Sequence, residues 1–246
     1  MSKKLSHTKV MAKKRLSKNM MRITLEGEGL AHFPDGFDGG YVKIMIPRYQ
    51  GDTVTRSFTI RSFDPINKQL TLDMVSHGDK SPAAQWMNRV SVGDRVSIKG
   101  PGACKRLNLK ADWFLLAGDM TALPAISVNL ELLPDNAKGF AVLEIMSEED
   151  RIELNAPKGM QLIWVINPTP TKTNSSLSDA VMAVPWMKNQ ASIWVAGEFN
   201  TSRVLRQHLL HEHQVDRNFI YISCYWKIGD TNEGLKAAKK NDPEAW

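Results

Sequence analysis

Cysteines and long apolar runs are both scarce in this chain of 246 residues. Its two cysteines, Cys104 and Cys224, lie far apart in the sequence. They exclude a disulfide-stapled scaffold and an iron–sulfur cluster held by this chain alone, and they suit a reducing cytoplasm. No apolar run approaches the roughly 18 residues that a membrane-spanning helix needs. Polar residues follow Lys3 and Lys4 where a secretory signal would be apolar. The sequence therefore predicts a cytoplasmic protein without a membrane partner.

Acidic residues are absent from the first 22 positions, which hold eight lysines and arginines. Since the whole chain has 32 basic and 26 acidic residues, the remainder carries 24 positive and 26 negative charges. The net charge of +6 is thus a local N-terminal effect. Such a strip suits nucleic acid, the solvated face of a first strand, or the guidance of an anionic ligand. No zinc-finger or RNA-binding motif and no interleaved aromatic residue accompanies the strip, so nucleic acid is not the expected partner.

Short runs with alternating apolar residues characterise the chain up to about residue 109. Glycine, proline and aspartate separate these runs, a pattern that predicts a small antiparallel sheet or barrel. One helix is expected after Ser81-Pro82, since serine suits the N-cap and proline the first helical position. We expect residues 1–109 to form an N-terminal antiparallel β-barrel domain. Gly100-Pro101-Gly102 is the best candidate for a hinge after it.

Apolar strand-like runs alternate with helical stretches beyond about residue 110. This alternation predicts a parallel sheet with helices on its faces. We therefore expect residues 110–246 to form an α/β domain that ends in a charged helical tail at Gly234–Lys240. A barrel can hold a flavin at its edge, and an open parallel sheet can present a nicotinamide at the carboxyl ends of its strands. The predicted strands are Trp113–Ala117, Phe140–Met146, Leu162–Ile166, Ile193–Ala196 and Phe219–Ser223.

The sequence Arg-Ser-Phe-Thr-Ile-Arg, which begins at Arg56, carries the first candidate functional side chains. Alternate residues of a strand share a face, so Arg56, Phe58 and Ile60 point one way, and Thr59 and Arg61 the other. At a barrel edge an arginine can clamp a phosphate, an aromatic side chain can lie against a flat ring, and a hydroxyl can bond a ring nitrogen. The same residues also suit an ordinary amphipathic strand with solvent-exposed arginines.

Strand-to-helix junctions supply the other candidates. The first is the start of the helix after Ser81, where free N–H groups near Ala83 and Ala84 would make an anion site. The second begins at Gly118-Asp119, directly after an apolar strand, and Gly197-Glu198 repeats the same arrangement later. These junctions suit a nucleotide, but they lack G-x-G-x-x-G, and the sequence has no Walker A motif. Plain capped helices are the alternative explanation.

Together, and in this order, these segments resemble the siderophore-interacting protein family of flavin-dependent ferric-siderophore reductases, which is related to the ferredoxin reductase superfamily. The resemblance covers about residues 10–230, and its Gly-Asp-x-Thr-Ala-Leu-Pro-Ala run is specific. The segments that carry it are Arg56–Arg61 (family pattern R-x-Y-T-x-R), His77-Gly78 with Pro82-Ala83-Ala84, Gly118-Asp119 with Thr121–Ala125, Gly197-Glu198, and Tyr225-Trp226-Lys227 with Gly229.

The resemblance implies a bound FAD and assigns roles to individual residues. Arg56 would hold the diphosphate, Phe58 would lie near the isoalloxazine, and Thr59 would bond the polar edge of that ring. The backbone from Asp73 to Val75 would meet the ring. His77 would lie toward the ADP portion, Ser81, Ala83 and Ala84 would cradle the phosphates, Thr121 would lie near the junction of flavin and electron donor, and Trp226 would help to close the ring face. Ser57 and Arg61 complete the predicted cofactor-binding set.

Three positions depart from the family pattern. Phe58 replaces the usual tyrosine, which removes a phenol hydrogen bond but leaves stacking intact. Met120 replaces a usual acidic residue, and this change bears on the donor side of the site. Ser81 replaces a usual glycine.

The function implied by the resemblance is the reduction of Fe³⁺ in a ferric siderophore. Electrons would come from NADH, NADPH or a reduced ferredoxin through FAD, and Fe²⁺ would be released because hard oxygen chelators hold it far less well than Fe³⁺. This chemistry needs no acid–base pair or nucleophile, so no catalytic side chain is nominated. The alternatives are another flavin or ferric reductase of the same superfamily and a non-catalytic siderophore-binding module.

Capture of the substrate is expected to be electrostatic, because many ferric siderophores are anionic. Each candidate cation also suits an ordinary solvated surface. The candidates are Arg48, Lys227, Lys236, Lys239 and Lys240.

Three histidines, His208, His211 and His213, flank Glu212 near the end of a predicted helix. An H-x-x-H spacing puts two imidazoles on one face, but the segment does not spell H-E-x-x-H, and histidine also suits a helix C-terminus. We expect no metal site here.

Overall fold

The computed structural model describes residues 4–47, 52–76 and 81–244. Its contacts divide the chain into two compact units, Met1–Lys105 and Arg106–Trp246. The hinge predicted at Gly100–Gly102 is wrong, since both glycines lie inside a strand of the first unit. A Cβ atom at Gly102 would lie 2.2 Å from the ring of Tyr41. Glycine is needed there for close packing rather than for flexibility.

The first unit is a closed antiparallel barrel of six strands, in the order β1-β2-β5-β4-β3-β6. The strands are β1 (Leu5–Arg15), β2 (Met20–Glu26), β3 (Tyr41–Pro47), β4 (Thr53–Asp64), β5 (Gln69–Val75) and β6 (Arg95–Gly102).

Alternation of side chains explains both the barrel and its basic N-terminal strip. In β3 the side chains of Val42, Ile44 and Ile46 are buried in the barrel core, while those between them are half-buried. In β1 the buried positions are Ser6, Thr8 and Val10, so the intervening and following residues face outward. The cationic side chains of β1 are therefore on the outer face of a first strand, one of the alternatives left open by the sequence.

One helix, α1 (Pro82–Arg89), packs against the barrel through Ala84, Trp86 and Met87. It begins as the sequence predicts: the Ser81 hydroxyl accepts a hydrogen bond from the N–H of Ala84 at 3.0 Å. The ammonium of Lys13 donates to the carbonyl of Val90 at 3.0 Å, at the C-terminal end of the helix, where a cation is favoured. Ser81 thus caps the N-terminal end of α1, and Lys13 of β1 holds its C-terminal end to the barrel.

The second unit is a five-stranded parallel sheet in the order β11-β10-β7-β8-β9. The barrel followed by this sheet confirms the predicted fold class. The elements are β7 (Trp113–Gly118), α2 (Leu123–Glu131), β8 (Lys138–Ile145), β9 (Gly159–Ile166), α3 (Ser176–Met182), β10 (Ala191–Glu198), α4 (Phe199–Gln207), β11 (Ile220–Trp226) and α5 (Asn232–Asn241).

Two of the three interior strands, β7 and β10, are buried along their whole length. This is why they have continuous apolar runs rather than alternation. One core contains Trp113, Leu115, Val181 and Leu205, so α3 and α4 contribute to it. No helix in the described part of the chain is long and apolar enough to cross a membrane.

Candidate functional site

The register of β4 against β3 fixes the two faces of the first candidate segment. Arg56 pairs with Ile44 and Phe58 pairs with Val42, so both project from the inner face of the sheet. Both side chains are half-buried, and Phe58 packs against the barrel core. The segment therefore places a cation next to an aromatic ring on one face, as the alternation in the sequence predicts.

Thr59 projects from the opposite, outer face of β4. It pairs with Tyr41, and only 8% of the residue is exposed. Within the described residues its hydroxyl has no hydrogen-bond partner. Ser57 precedes it on the same face and is exposed. Two hydroxyls are therefore available on this face.

A β-bulge at Arg61 shifts the register of β4 against β5 between Ile60 and Ser62. The guanidinium of Arg61 lies 3.9 Å from the carboxylate of Asp73, whose side chain is only 3% exposed. Arg22 holds the same carboxylate with two hydrogen bonds of 2.7 Å, from Nε and Nη2. Arg22 was not among the predicted residues, because nothing in its local sequence points to a partner 51 positions away.

The other predicted cofactor-binding residues of the barrel unit differ in how far they are exposed to solvent. Val75 is the half-buried last residue of β5. Ser81 is exposed and Ala83 is half-buried, but Ala84 is fully buried. The N–H of Ala84 is bonded to Ser81, so this amide is not free for an anion. His77 and Arg48 lie outside the described residues.

The chemistry of the barrel residues fits an FAD. A guanidinium at Arg56 suits a diphosphate, and an aromatic ring at Phe58 suits a flat heterocycle. The hydroxyl of Thr59, for which the described part of the chain provides no hydrogen-bond partner, suits a polar ring edge. The carboxylate of Asp73 does not join this set, because Arg22 already holds both of its oxygens.

In the second unit, Asp119 brings together two predicted residues that are distant in sequence. Its Oδ2 accepts a hydrogen bond of 2.7 Å from the indole N–H of Trp226, and its Oδ1 accepts one of 2.8 Å from the N–H of Thr121. Asp119 itself is only 4% exposed. Gly197 lies directly beside it with φ +157°, and a Cβ at Gly197 would be 2.7 Å from Asp119 Oδ2. Glycine is required at that position to leave room for the carboxylate.

Glu198 plays a similar part at the end of β10. Its Oε2 accepts hydrogen bonds from the N–H groups of Asn200 at 2.6 Å and Thr201 at 3.1 Å, and its Oε1 accepts one from Ile228 at 3.2 Å. The carboxylate thus caps α4 and ties down the segment after β11.

Glu144, near the end of β8, is a third buried carboxylate of this sheet edge. Burial raises its pKa from 4.5 to about 7, and the carboxylates of Asp119 and Glu198 add to the rise. A hydrogen bond of 3.1 Å from the amide of Asn167 opposes it. Glu144, Asn167, Glu198 and Trp226 line one pocket of this unit. Glu144 is not predictable from the sequence, since a single glutamate near the end of an apolar strand gives no signal.

The candidate substrate-binding cations are not gathered into one described group. Lys227 forms an ion pair with Asp230. Lys236 and Lys240 are exposed on α5, whereas Lys239 is half-buried beside the thiol of Cys224. Burial raises the pKa of that thiol, and the ammonium of Lys239 partly offsets the rise.

The three histidines have partners within their own unit. His208 contacts Glu212 at 2.7 Å and His211 contacts Glu244 at 3.2 Å. The ring of His213 stacks on Trp186 with a centroid distance of 3.7 Å.

Comparison with known proteins matches both units to one family. Residues 111–229 match the siderophore-interacting protein family, and residues 9–54 and 49–105 match the siderophore-interacting FAD-binding domain. Ferric vibriobactin reductase ViuB of Vibrio cholerae is 33% identical over 90% of this chain and 89% of its own. Ferric acinetobactin reductase of Acinetobacter baumannii is 29% identical over 76% of this chain and 65% of its own.

A solved structure supports the same assignment. The siderophore-interacting protein SipS from Aeromonas hydrophila superposes with a TM-score of 0.85 at 31% identity, covering 97% of this chain and 98% of SipS. The match extends over the barrel and the parallel sheet. The chain therefore belongs to the siderophore-interacting protein family, and its barrel unit is that family's FAD-binding domain.

Proposed function

We propose that the protein is a flavin-dependent oxidoreductase that reduces ferric siderophores and so releases Fe²⁺. The observation that carries the proposal is the likeness along 90% of the chain to a protein named as a ferric vibriobactin reductase. The barrel matches an FAD-binding domain, and FAD is a redox cofactor that suits such a reaction. Another flavin or ferric reductase activity and a non-catalytic siderophore-binding module are the competing functions.

The barrel residues would hold FAD by complementary charge and shape. Arg56 would neutralise the diphosphate, Thr59 would donate its hydroxyl to the ring edge, and Phe58 would supply an apolar surface without the phenol of a tyrosine. We propose that the other cofactor-binding residues are Ser57, Arg61, Asp73, Val75, His77, Ser81, Ala83 and Ala84. Asp73 would contribute its backbone, and Ala84, whose N–H is bonded to Ser81, would contribute only the small size of its side chain. Thr121 and Trp226 of the second unit stay predictions of the resemblance.

When bound, FAD supplies the link between a two-electron donor and a one-electron acceptor. One hydride from NADH or NADPH reduces two Fe³⁺ to Fe²⁺ and leaves NAD(P)⁺ and one proton. We propose NAD(P)H as the donor, with a reduced ferredoxin as the alternative. The protein's side chains would position the reactants and supply charge, and none is nominated as an acid, base or nucleophile.

Capture of an anionic ferric siderophore is proposed to rest on Lys236 and on the other predicted cations Arg48, Lys227 and Lys239. Charge reversal at these four positions together is expected to weaken the apparent substrate affinity and to reduce its dependence on salt. An unchanged affinity with an unchanged salt dependence would remove these residues from the proposal.

The experiment that tests the function is spectroscopic. Purified protein supplied with FAD should be yellow, should bleach anaerobically on reduction, and should regain its absorption when a ferric siderophore is added. Reoxidation by the siderophore but not by free flavin or other acceptors separates this function from other reductases of the superfamily. A protein that takes up no FAD is a binding module instead.

Replacing Arg56 by glutamine is expected to weaken FAD binding about 10- to 100-fold. A hydrogen bond to a charged group contributes about 1.5–3 kcal/mol, which corresponds to that factor in Kd. The Kd is measured by titrating flavin-free protein and following quenching of flavin fluorescence. Arg95→Gln, on the exposed side of β6, removes the same charge from the barrel and should leave the Kd unchanged. Equal Kd values for Arg56→Gln and Arg95→Gln would show that Arg56 does not hold the diphosphate.

A further inference from the structure

The strand order of the second unit places its switch point between β7 and β10. From β7 the chain adds β8 and β9 on one side and then returns to add β10 and β11 on the other. In such sheets a dinucleotide lies in the crevice at the carboxyl ends of the two strands, with its diphosphate on free N–H groups of the following helix. The helices that follow β7 and β10 are α2 and α4. Their first turns therefore decide whether this unit can hold a dinucleotide in that way.

Asp119 takes up the N–H groups at the start of α2. Its carboxylate accepts the N–H of Thr121 at 2.8 Å, and its carbonyl accepts those of Ala122 and Leu123 at 2.9 and 3.2 Å. The next residue, Pro124, has no N–H to give. In this described stretch, positions 121–124 thus leave no amide for a phosphate.

Glu198 does the same at the start of α4. Its carboxylate accepts the N–H groups of Asn200 and Thr201, and the N–H of Ile228 from the segment after β11. The residue is 6% exposed, so this carboxylate is built into the edge of the sheet rather than resting on its surface. Both strand-to-helix junctions of this unit that suit a nucleotide by sequence therefore already contain a carboxylate of the protein.

Charge adds to the loss of donors. The carboxylates of Asp119 and Glu198 both raise the pKa of Glu144, so the three groups interact electrostatically. A diphosphate approaching this edge would meet charge of its own sign at short range, where the repulsion is strongest.

We infer that Asp119 and Glu198 are specificity-determining residues that keep the diphosphate of a nicotinamide dinucleotide out of the switch-point crevice. They occupy the amide positions that a diphosphate needs and add negative charge beside them. A nicotinamide donor is then not anchored in this unit by its diphosphate. The inference deepens the proposed function and rests on it only for the relevance of such a donor.

Nuclear magnetic resonance of the FAD-loaded full chain tests the inference directly. We expect NADP⁺, added to millimolar concentration, to leave the amide signals of Ala122, Leu123, Asn200 and Thr201 in place. Saturable shifts of these four signals would overturn the inference. This readout reports binding at the junctions and does not depend on catalysis.

A charge-neutralised double variant provides the second arm. Asp119→Asn with Glu198→Gln keeps an acceptor oxygen at each helix start but removes both negative charges, so millimolar NADP⁺ should shift these amide signals in the variant although it leaves them in place in the wild type. Glu153→Gln, an exposed acid of the same unit, should change nothing. A double variant that folds and binds NADP⁺ no more tightly than wild type would contradict the role of the two carboxylates. If it does not fold, the wild-type titration decides alone.

Failure of this inference can be told apart from failure of the proposed function. Dithionite reduces the flavin without any nicotinamide, and reoxidation of that protein by a ferric siderophore tests the reductase activity independently. NADP⁺ bound at the junctions of a protein that passes this test would overturn the specificity role alone.

Discussion

Replacing Arg206 by methionine is expected to lower the free energy of unfolding by about 3–5 kcal/mol, because it leaves a buried charge without its partner. Arg206 of α4 is only 4% exposed. Its Nη2 lies 3.0 Å from both oxygens of Asp242, whose side chain is 1% exposed, and its Nε lies 2.8 Å from Glu244. These contacts hold the end of the chain against the second unit.

The same substitution should release α5, which ends one residue before Asp242. Leu235 of α5 is buried in a small cluster with Phe199 and Cys224, and the ion pairs of Arg206 are the second attachment of this region to the unit. We expect faster hydrogen exchange and proteolysis throughout α5, together with the loss of stability in urea. These measurements separate local detachment from global unfolding.

Two further variants isolate the cause. Arg203→Met removes an exposed arginine from the same helix and should change the stability by less than about 0.5 kcal/mol. Adding Asp242→Asn to Arg206→Met should restore part of the loss, because an amide costs less to bury without a partner than a carboxylate does. An Arg206→Met protein as stable as the Arg203→Met protein would disprove the importance of this ion pair.

Replacing Glu144 by glutamine is expected to stabilise the protein above neutral pH and to have little effect in acid. Burial raises the pKa of Glu144 from 4.5 to about 7, so the folded protein holds this proton more tightly than the unfolded chain does. The stability that comes from the protonated form is complete below about pH 4.5 and is lost as the pH rises to about 7. A difference of about 2.5 pKa units corresponds to about 3 kcal/mol.

The measurement is the difference in urea stability between the variant and wild type at pH 4.5 and at pH 8. Glutamine keeps the oxygen that accepts the hydrogen bond from Asn167, so the variant changes the charge and little else. Glu153→Gln is the matched control, because that residue is exposed and its neutralisation should give no such difference. A Glu144→Gln protein whose advantage over wild type is the same at both pH values would show that Glu144 ionises normally.

Local pattern was sufficient to predict most of the architecture. Alternating apolar residues marked β3 and β5, and continuous apolar runs marked the buried strands β7 and β10. Ser81-Pro82 marked the start of α1 correctly, since its cap involves residues only three positions apart. The sequence pattern also predicts a helix over Leu177–Met187, but in the structure α3 covers only Ser176–Met182. Pro185 is incompatible with a continuing helix and accounts for much of this difference.

Hydrogen bonds between residues that are distant in the sequence were not predictable from local pattern. The pairs Arg22–Asp73 and Asp119–Trp226 are 51 and 107 positions apart, and each forms only because the strand order brings its members together. The sequence showed that Asp119 follows a strand and precedes a helix, which suits a nucleotide site. It did not show that the carboxylate accepts hydrogen bonds from the N–H of Thr121 and from the indole of Trp226.

The sequence by itself determined the fold class, the family and the residue types available for a flavin, because these depend on periodicity and on short motifs. Only the tertiary structure decided which charges are satisfied internally and which face a ligand. The physical reason is that the energy of a carboxylate or a guanidinium depends on its burial and its partners. In this chain those are set by strands from distant parts of the sequence, as the carboxylates of Asp119 and Glu198 show at the switch point.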